Sequence, residues 1–543
     1  MNKIAHYLQQ HVDGEIVTSD DVLDYFSTDE SVFQIRPQLV LYPRSEKDIR
    51  KTARFTWQLA EKGRSVTMTA RGNGTDQTGA ALGDGIIIAM SAHMNKIIEL
   101  DPKSGIVTCE AGISLDKLQQ VLHTHGRFLP AISDVNRYAT LGGAVANNDS
   151  SRYSYKYGPM QEFVRGLKVV LANGELIETG RLSKRELNKK LGLASYEGEL
   201  YRSLDKLIDD NNELLESAQR GPHNKAGYNL SDVRQKDGSF DLTPLFLGSQ
   251  GTLVVISEIT IDTMPHSPRP SLVIAGFSDR AQAWKAVMSL NEIKDGPASI
   301  DFIDETLIAA LQSINLSMLK PLDGGVPATM LFIELDDESP RSRKKLIKKI
   351  VKICEDLDAQ MVEPEEDEQL EWERLRDSAS SFLTHRKDKK QAIPVLDDAQ
   401  IPLDRMNEFF NKVDGLMDAA NIQEYAIWGQ AGSGLVHVAP LLDITSVGDR
   451  QRLFKLLIAY YGFIIEIGGS IAAEYAEGRL RGVFDGAQFS PDMIAAFKKV
   501  KDVCDPGKTL NTGLKFESDV SQLKSMLRSS YSLDHQYNHL PRS

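Results

Sequence analysis

The chain has 543 residues, more than the roughly 250–300 at which a single hydrophobic core stops growing, so two or three domains are expected. It carries 63 Lys and Arg against 76 Asp and Glu, and this net charge of −13 argues against nonspecific nucleic-acid binding. Hydrophobic residues make up 41%, and no run approaches the roughly 20 apolar residues a bilayer span needs, the profile of a soluble globular protein.

The opening MNKIAHYLQQHVDGE is charged too early for a signal peptide, which predicts cytoplasmic residence. Peripheral attachment to a membrane stays open, because no stretch reads clearly as a lipid-seeking helix. Next, Ser45-Glu46-Lys47-Asp48 predicts a capping box opening a helix with Ile49, Ala53, Trp57 and Ala60 on one face and Gly63 as its stop. A strand at 65–69 leads into a glycine-bearing loop, Arg71-Gly72-Asn73-Gly74-Thr75-Asp76-Gln77-Thr78-Gly79. Strands at 86–90 and 106–110 follow, then a helix carrying Leu115, Leu118, Val121 and Leu122 that Gly126 ends.

From Ala139 to Glu175 a second loop, with Gly142-Gly143 and Asn147-Asn148, passes Tyr157-Gly158 into an alternating apolar run. Asn173-Gly174 closes that run with the strongest short-range hairpin signal. Residues 181–237 are charged and weakly periodic, and read as surface helix and loop. A third loop, Gly248-Ser249-Gln250-Gly251-Thr252, precedes a strand at 253–262 that should close the first domain at the proline-rich break 264–270. Loops rich in small residues and amides bring backbone donors close to a flat polar ligand.

Past the break come a strand at 271–277, a helix at 281–291, a strand at 328–335 and a helix carrying Leu346, Ile350, Ile353, Cys354 and Leu357. Alternation to about residue 466 predicts a second α+β domain. The acidic run Glu365–Glu368 reads as solvated surface, and the residues from Glu517 as a polar tail. Cys109, Cys354 and Cys504 are dispersed and odd in number, offering neither a disulfide framework nor a cluster-binding spacing.

Taken in order, RGNGT at 71, TLGGAVANN at 140, GLKVVLANGE at 166, AGYNL at 226, LFLGSQGTLVVISEITI at 245, GQAGSGLVHVAP at 429, GGSIAAE at 468 and DPGKTLNTG at 505 resemble a known family. It is the flavin-linked oxidase family of the vanillyl-alcohol oxidase (PCMH) type, in the branch of D-lactate, glycolate and D-2-hydroxyglutarate dehydrogenases. The resemblance implies an α+β fold: a PCMH-type FAD-binding domain of two subdomains over 1–264, a ferredoxin-like α+β cap over 271–478, a returning segment 479–516 that completes the FAD site, and the tail 517–543. It implies FAD, whose pyrophosphate is met at Arg71, Gly72, Asn73, Gly74, Thr75, Asp76 and Gln77. The flavin ring then lies against Gly142, Gly143 and Asn147, with Ser249, Gly251, Thr252 and Ile256 nearby and Asn511 closing the site. Neither loop holds the histidine that tethers flavin in some members, so noncovalent FAD is expected.

The family's G-H-A-G-x-G-x-x-H motif becomes Gly429–His437 with Gln430 in place of a histidine, and E-H-G-x-G-R becomes Glu474–Arg479 with Tyr475 in place of another. If Ala431–Gly434 turns a hairpin, Gln430 pairs opposite Leu435 and shares a face with His437. Only His437 and Glu474 remain as good ligands, which argues against the family's catalytic metal. His437 then serves as base, or Tyr475 as a hydrogen-bond donor, since a phenol has a reference pKa of about 10. Arg376 falls near the family's substrate-carboxylate arginine, with Arg374 and a surface ion pair as competing readings; Leu396 stands where a family lysine would. The implied activity is oxidation of a small 2-hydroxyacid, D-lactate first, with electrons passing to a quinone, cytochrome, flavoprotein or oxygen, and with a partner subunit. Two rival expectations are an enzyme for a noncarboxylate alcohol and a noncatalytic flavin-binding subunit.

Overall fold

A computed structural model describes residues 3–132, 138–217, 221, 223–266, 270–314, 326–337, 339–384 and 389–534. Two larger sheets form the first unit, with a two-stranded pairing of Arg127–Phe128 and Met264–Pro265 beside them. Strands β1 (Glu15–Val17), β2 (Leu39–Tyr42), β3 (Met68–Arg71) and β4 (Ile86–Ala89) run in the order β1-β2-β4-β3, and the helix α1 (Glu46–Glu61) supplies the crossover between β2 and β3. The strands β2, β4 and β3 are mutually parallel, and β2 and β4 are buried along their length except Tyr42, as their unbroken apolar runs require. β3 starts later than the expected 65–69, at Met68, whose N–H is fixed by the Thr509 carbonyl at 2.6 Å.

The expected capping box does not form. Ser45 makes no side-chain cap bond, and Asp48 instead accepts from the backbone N–H groups of Asp13 and Arg44 at 2.8 and 2.9 Å, pinning the N-terminal segment to the helix start. The second sheet is antiparallel, with β5 (Ile97–Asp101), β6 (Ile106–Glu110), β7 (Val164–Val170), β8 (Leu176–Glu178) and β9 (Val255–Asp262) in the order β5-β6-β9-β7-β8. The Asn173-Gly174 hairpin joins β7 to β8 as expected, with Gly174 at φ +83°. β9 lies at the sheet's centre, between β6 and β7, and β5 was not anticipated.

Within residues 181–237, helix α2 (Tyr196–Asp210) buries Leu200, Tyr201, Leu204, Leu207 and Ile208, so this segment belongs to the core rather than the surface. A capping box is made at Ser183 and Glu186, at the start of the helix Lys184–Leu191.

The second unit is one large antiparallel sheet built from two ferredoxin-like halves. In the first, β10 (Ser271–Phe277), α3 (Arg280–Asn291), β11 (Ser299–Asp304), β12 (Thr329–Leu335), α4 (Pro340–Glu355) and β13 (Gln360–Val362) give the strand order β13-β10-β12-β11. In the second, β14 (Leu396–Gln400), α5 (Met406–Ala419), β15 (Tyr425–Gln430), β16 (Leu435–Leu442) and α6 (Val447–Glu466) place β15 beside β16 and β16 beside β14, with Gln400 bridging Ser470. Pairing of β11 with β15 joins the halves.

From Arg479 the chain bonds to the first unit, Arg479 N–H to the Thr78 carbonyl at 3.1 Å and its guanidinium to the Gly79 and Leu82 carbonyls, while Leu480 and Phe484 still pack in the second core; α7 (Pro491–Cys504) adds Met493, Phe497 and Val500 to the first core. The expected polar tail is also corrected. Val520–Met526 is a helix, Leu523, Tyr531 and Leu533 are buried, and Arg528 Nε donates to the Phe33 carbonyl at 3.0 Å. Sparse apolar residues among polar ones hold this segment to residues 29–33; residues 535–543 lie outside the described residues. Among the described residues no helix is long and apolar enough to cross a membrane.

Candidate functional site

The three glycine-bearing segments meet. Residues drawn from the segments 70–77, 139–150 and 250–256 line one cavity, open at its mouth, together with Glu474 and Tyr475. Backbone hydrogen bonds tie the walls: Gly248 N–H to the Val145 carbonyl (3.2 Å), Gln250 N–H to Ala146 (2.9 Å), Ala476 N–H to Asn147 (3.1 Å) and Ser150 N–H to Glu474 (2.7 Å). Gln250 bridges two walls, its Nε2 donating to Asn147 Oδ1 at 2.9 Å and its Oε1 accepting from Gly478 N–H at 2.9 Å.

The expected glycine-pair loop is the start of a short helix, Leu141–Asn147, capped by Thr140, whose Oγ1 accepts from Gly143 N–H at 3.2 Å. A Cβ on Gly72 would stand 2.2 Å from Thr140 Oγ1, and one on Gly142 would stand 2.7 Å from the Ala111 carbonyl, so both glycines are required for the walls to close. Arg71 is buried beneath its loop, donating to the Phe26 and Thr28 carbonyls at 3.3 and 2.8 Å, so its guanidinium braces the loop from behind. The cradle of glycines and backbone N–H groups fits a dinucleotide pyrophosphate.

Of the expected cofactor residues, Arg71–Gln77, Gly142, Gly143, Asn147, Gly251 and Ile256 line this cavity. Ser249, Thr252 and Asn511 do not. Ser249 Oγ donates to the Phe246 carbonyl, Thr252 Oγ1 to the Ser249 carbonyl, and Asn511 Nδ2 to the Ala80 and Gln250 carbonyls at 2.9 and 2.7 Å, so all three stiffen the turns from behind.

At the end marked by Glu474 and Tyr475 the structure assembles a charged cluster. The hairpin forms as expected, with Gln430 opposite Leu435 and His437 opposite Trp428, whose ring stacks on the imidazole at 5.4 Å. His437 Nδ1 lies 2.5 Å from Asp397 Oδ1 and its Nε2 lies 2.8 Å from Glu474 Oε2. Burial opposes charge on this ring, but the Asp397 and Glu474 carboxylates outweigh it and hold the imidazole well above its ordinary pKa, as an imidazolium. His437, one of the two sequence candidates at the reacting end, thus has both ring nitrogens engaged by carboxylates.

The Tyr475 hydroxyl donates to Asp397 Oδ2, with Gln77 Oε1 at 3.1 Å. Burial, followed by the Asp397 charge, pushes this phenol well above its usual pKa, so Tyr475 is a donor.

Sequence reasoning missed Asp397 and Asp398, which sit in a bulge where the β14–β16 register shifts between Leu396 and Ala399. Asp398, at φ +58°, accepts from the N–H groups of Ala473 (3.1 Å), Glu474 (2.5 Å) and Tyr475 (3.1 Å) and from Arg481 Nη1 (2.6 Å). The backbone that presents Glu474 and Tyr475 thus hangs on one buried carboxylate. Lys225 was also missed; its Nζ donates to Ser150 Oγ at 2.5 Å and to the Glu474 carbonyl at 2.7 Å, and burial lowers its pKa to about 8.

Arg376 is not at the cavity. Its Nη1 meets Glu334 Oε2 at 3.0 Å and its Nε meets Asp377 Oδ1 at 3.0 Å, within a clasp between the units that includes Arg152 on Asp377 at 2.6 Å and Tyr153 on Glu334. Leu396 is fully buried in the second core. The donor set does not fit the family's metal ion. Both nitrogens of His437 face carboxylates, and Gln430 offers only an amide oxygen, Oε1, which is buried without a hydrogen-bond partner.

Residues 37–180 match the family described as FAD binding domain, and residues 268–514 match FAD linked oxidases, C-terminal domain. The chain is 28% identical to D-2-hydroxyglutarate dehydrogenase of Escherichia coli over 94% of its own length, but it spans about half that relative, 51%. It is 26% identical to the glycolate oxidase subunit GlcD of Bacillus subtilis over 90% of each chain. In fold it is similar to p-cresol methylhydroxylase with substrate bound, at a TM-score of 0.69 and 14% identity, over 96% of this chain and 97% of that one. With an FAD binding domain followed by their C-terminal domain, the chain belongs to the FAD-linked oxidases.

Proposed function

We propose that this protein oxidises a small 2-hydroxyacid of the D-lactate type, with noncovalent FAD as hydride acceptor and electrons passing on to an external acceptor such as a quinone, cytochrome, flavoprotein or oxygen. One observation carries the reading: the cavity walled by the three glycine-bearing segments has Glu474 and Tyr475 in its lining, and both are held by the Asp397–His437 cluster. The proposed site comprises the cavity-lining residues, Glu474, Tyr475, His437 and Asp397, with Gln430 behind them. In domain terms, 1–264 would form the FAD domain and 271–478 the cap.

FAD, when bound, supplies a two-electron acceptor for the hydride. Of the carboxylates lining the cavity, Asp76, Asp149 and Glu474, Glu474 is the one whose orientation an ion pair with His437 fixes, so Glu474 is assigned to take the substrate hydroxyl proton. Gln77, which lines the cavity beside the Tyr475 hydroxyl, orients the substrate oxygen by hydrogen bonding, and Tyr475, its one proton given to Asp397, forms the wall next to it. The imidazolium of His437 balances charge as the proton moves.

A second reading, a noncarboxylate alcohol, is favoured by Arg376, whose engagement with Glu334 and Asp377 removes the expected partner for a substrate carboxylate. Anaerobic mixing of the FAD-loaded protein with D-lactate, glycolate and D-2-hydroxyglutarate, and separately with alditols and aromatic alcohols, tests both. Bleaching of the flavin band by a hydroxyacid is expected. Bleaching only by the alcohols selects the second reading, and a band unmoved by the whole panel leaves a noncatalytic flavin carrier.

A further inference from the structure

Helix α4, Pro340–Glu355, is cationic in an acidic chain: seven of its 16 residues are Lys or Arg and only Glu355 is acidic, whereas the whole chain carries −13. Six of the seven cations, Arg341, Lys344, Lys345, Lys348, Lys349 and Lys352, are exposed. Their spacing of three and four residues sets them on one face of the helix. The other face is occupied: Ile350 and Cys354 are buried, and Leu346, Ile347, Val351 and Ile353 pack on the second core. None of the six makes an ion pair or hydrogen bond with another described residue. Like charges three and four apart repel and weaken a helix, and nothing within the described chain offsets that here.

We propose that this face docks the protein on a membrane surface rich in anionic lipid. The helix is about 24 Å long at 1.5 Å per residue, a straight row of charges suited to a planar anionic surface. Five of the six cations are lysines, which act as point charges without the planar fork of arginine, and the row contains no aromatic anchor of the kind that centres protein interfaces. The strongly acidic remainder of the chain would repel a polyanion that wraps around it, whereas a plane touches one edge alone. Docking would point to an acceptor carried in the bilayer, a step that rests on the proposed oxidation; the docking itself does not.

The test is cosedimentation of the full FAD-loaded chain with vesicles of phosphatidylcholine alone and of phosphatidylcholine mixed with phosphatidylglycerol. Binding to the mixed vesicles only, lost in high salt, is expected. The variant Lys345→Glu/Lys348→Glu/Lys349→Glu should lower partitioning by at least about fivefold per position, more than a hundredfold in all. A matched variant, Lys184→Glu/Arg185→Glu/Lys189→Glu, makes the same charge change on the exposed face of another helix and should bind as the parent does. Glutamine replacements at 345, 348 and 349 provide a milder form if the reversed triple does not fold. Failure of the parent to bind, or equal loss in the two glutamate triples, overturns the proposal. Retention on duplex DNA as strong as on the mixed vesicles overturns the lipid assignment.

Discussion

Asp398→Asn isolates the charge on which the segment bearing Glu474 and Tyr475 hangs. Asparagine tolerates the left-handed backbone at φ +58°, so the bulge geometry survives. What is lost is the ion pair with Arg481, whose side chain is 1% exposed and 2.6 Å away, and the charge assistance in three backbone hydrogen bonds. Breaking a buried pair from one side costs about 3–5 kcal/mol. Arg481 keeps the Tyr475 and Ala476 carbonyls at 3.2 and 2.8 Å, which limits its exposure to the new vacancy and points to about 3 kcal/mol from the pair. Weaker acceptance from the N–H groups of residues 473–475 adds about 1 kcal/mol, for about 4 kcal/mol together. A chain with two cores does not as a rule unfold in one step, so the assay follows the urea transition that releases the flavin. The flavin-reduction rate should fall with it, because Glu474 and Tyr475 lose their fixed backbone. Adding Arg481→Met to Asp398→Asn should recover most of the stability, giving a coupling energy above about 2 kcal/mol. A loss below about 1 kcal/mol in the single variant, or a coupling near zero, would refute the assignment of Asp398 as the support of the site.

Three further predictions follow from the same geometry. His437→Gln should abolish flavin reduction while FAD is retained, and its stability deficit should depend on pH. The pKa of His437 is raised on folding, so its contribution is complete below its unfolded value of about 6.5 and is lost as pH rises through the folded one. That of Asp397 is lowered, chiefly by His437 against burial, so its contribution is present above about 3.9 and lost as pH falls through its folded value. The gap between parent and variant should therefore be widest between about pH 4 and 6.5, and a gap that keeps widening into alkali contradicts the pairing. Arg376→Ala removes the guanidinium from the buried Glu334, which keeps the Tyr153 hydroxyl, so it should cost about 3 kcal/mol of stability and leave KM for a hydroxyacid nearly unchanged; a large rise in KM at unaltered stability would return Arg376 to the substrate. Acid precipitation should leave the yellow colour in the supernatant, since no histidine lies in the Arg71 or Gly142 segments, and colour in the pellet would mean a covalent link.

The cofactor cavity was legible because its demands fall on the backbone, and backbone demands leave residue-type signatures. Gly72 and Gly142 mark places where a Cβ would strike a neighbouring segment, and Gly251 at φ +71° marks a turn that disfavours other residues. The Asn173-Gly174 hairpin was readable for the same reason, being decided within four residues. Signals with competitors elsewhere in the chain failed. Ser45 and Asp48 have the right spacing for a capping box, yet Asp13, 35 positions earlier, takes the carboxylate. Leu523, Tyr531 and Leu533 are too sparse to show periodicity, and only the groove beside Phe33 turns them into an anchor.

The catalytic end was half-legible, and the missing half carried its own signal. Ile393-Pro394-Val395-Leu396-Asp397-Asp398-Ala399-Gln400-Ile401-Pro402 puts two adjacent acids inside an apolar strand, an arrangement that is stable only if each carboxylate meets cations or N–H donors. The family pattern drew attention to Leu396, one position away, because a lysine was sought there. Asp397 and Asp398 change the meaning of the two departures at Gln430 and Tyr475. Were Tyr475 a substitute base and His437 its rival, the cluster would need at least one of them neutral and free to accept a proton. Asp397 instead takes a hydrogen bond from each, and Glu474 takes the second nitrogen of the imidazole, so neither ring is left to receive a proton from substrate. Under the proposed oxidation, the acid–base step thus falls to the Glu474 carboxylate, with the tyrosine and imidazolium setting its position and its charge balance.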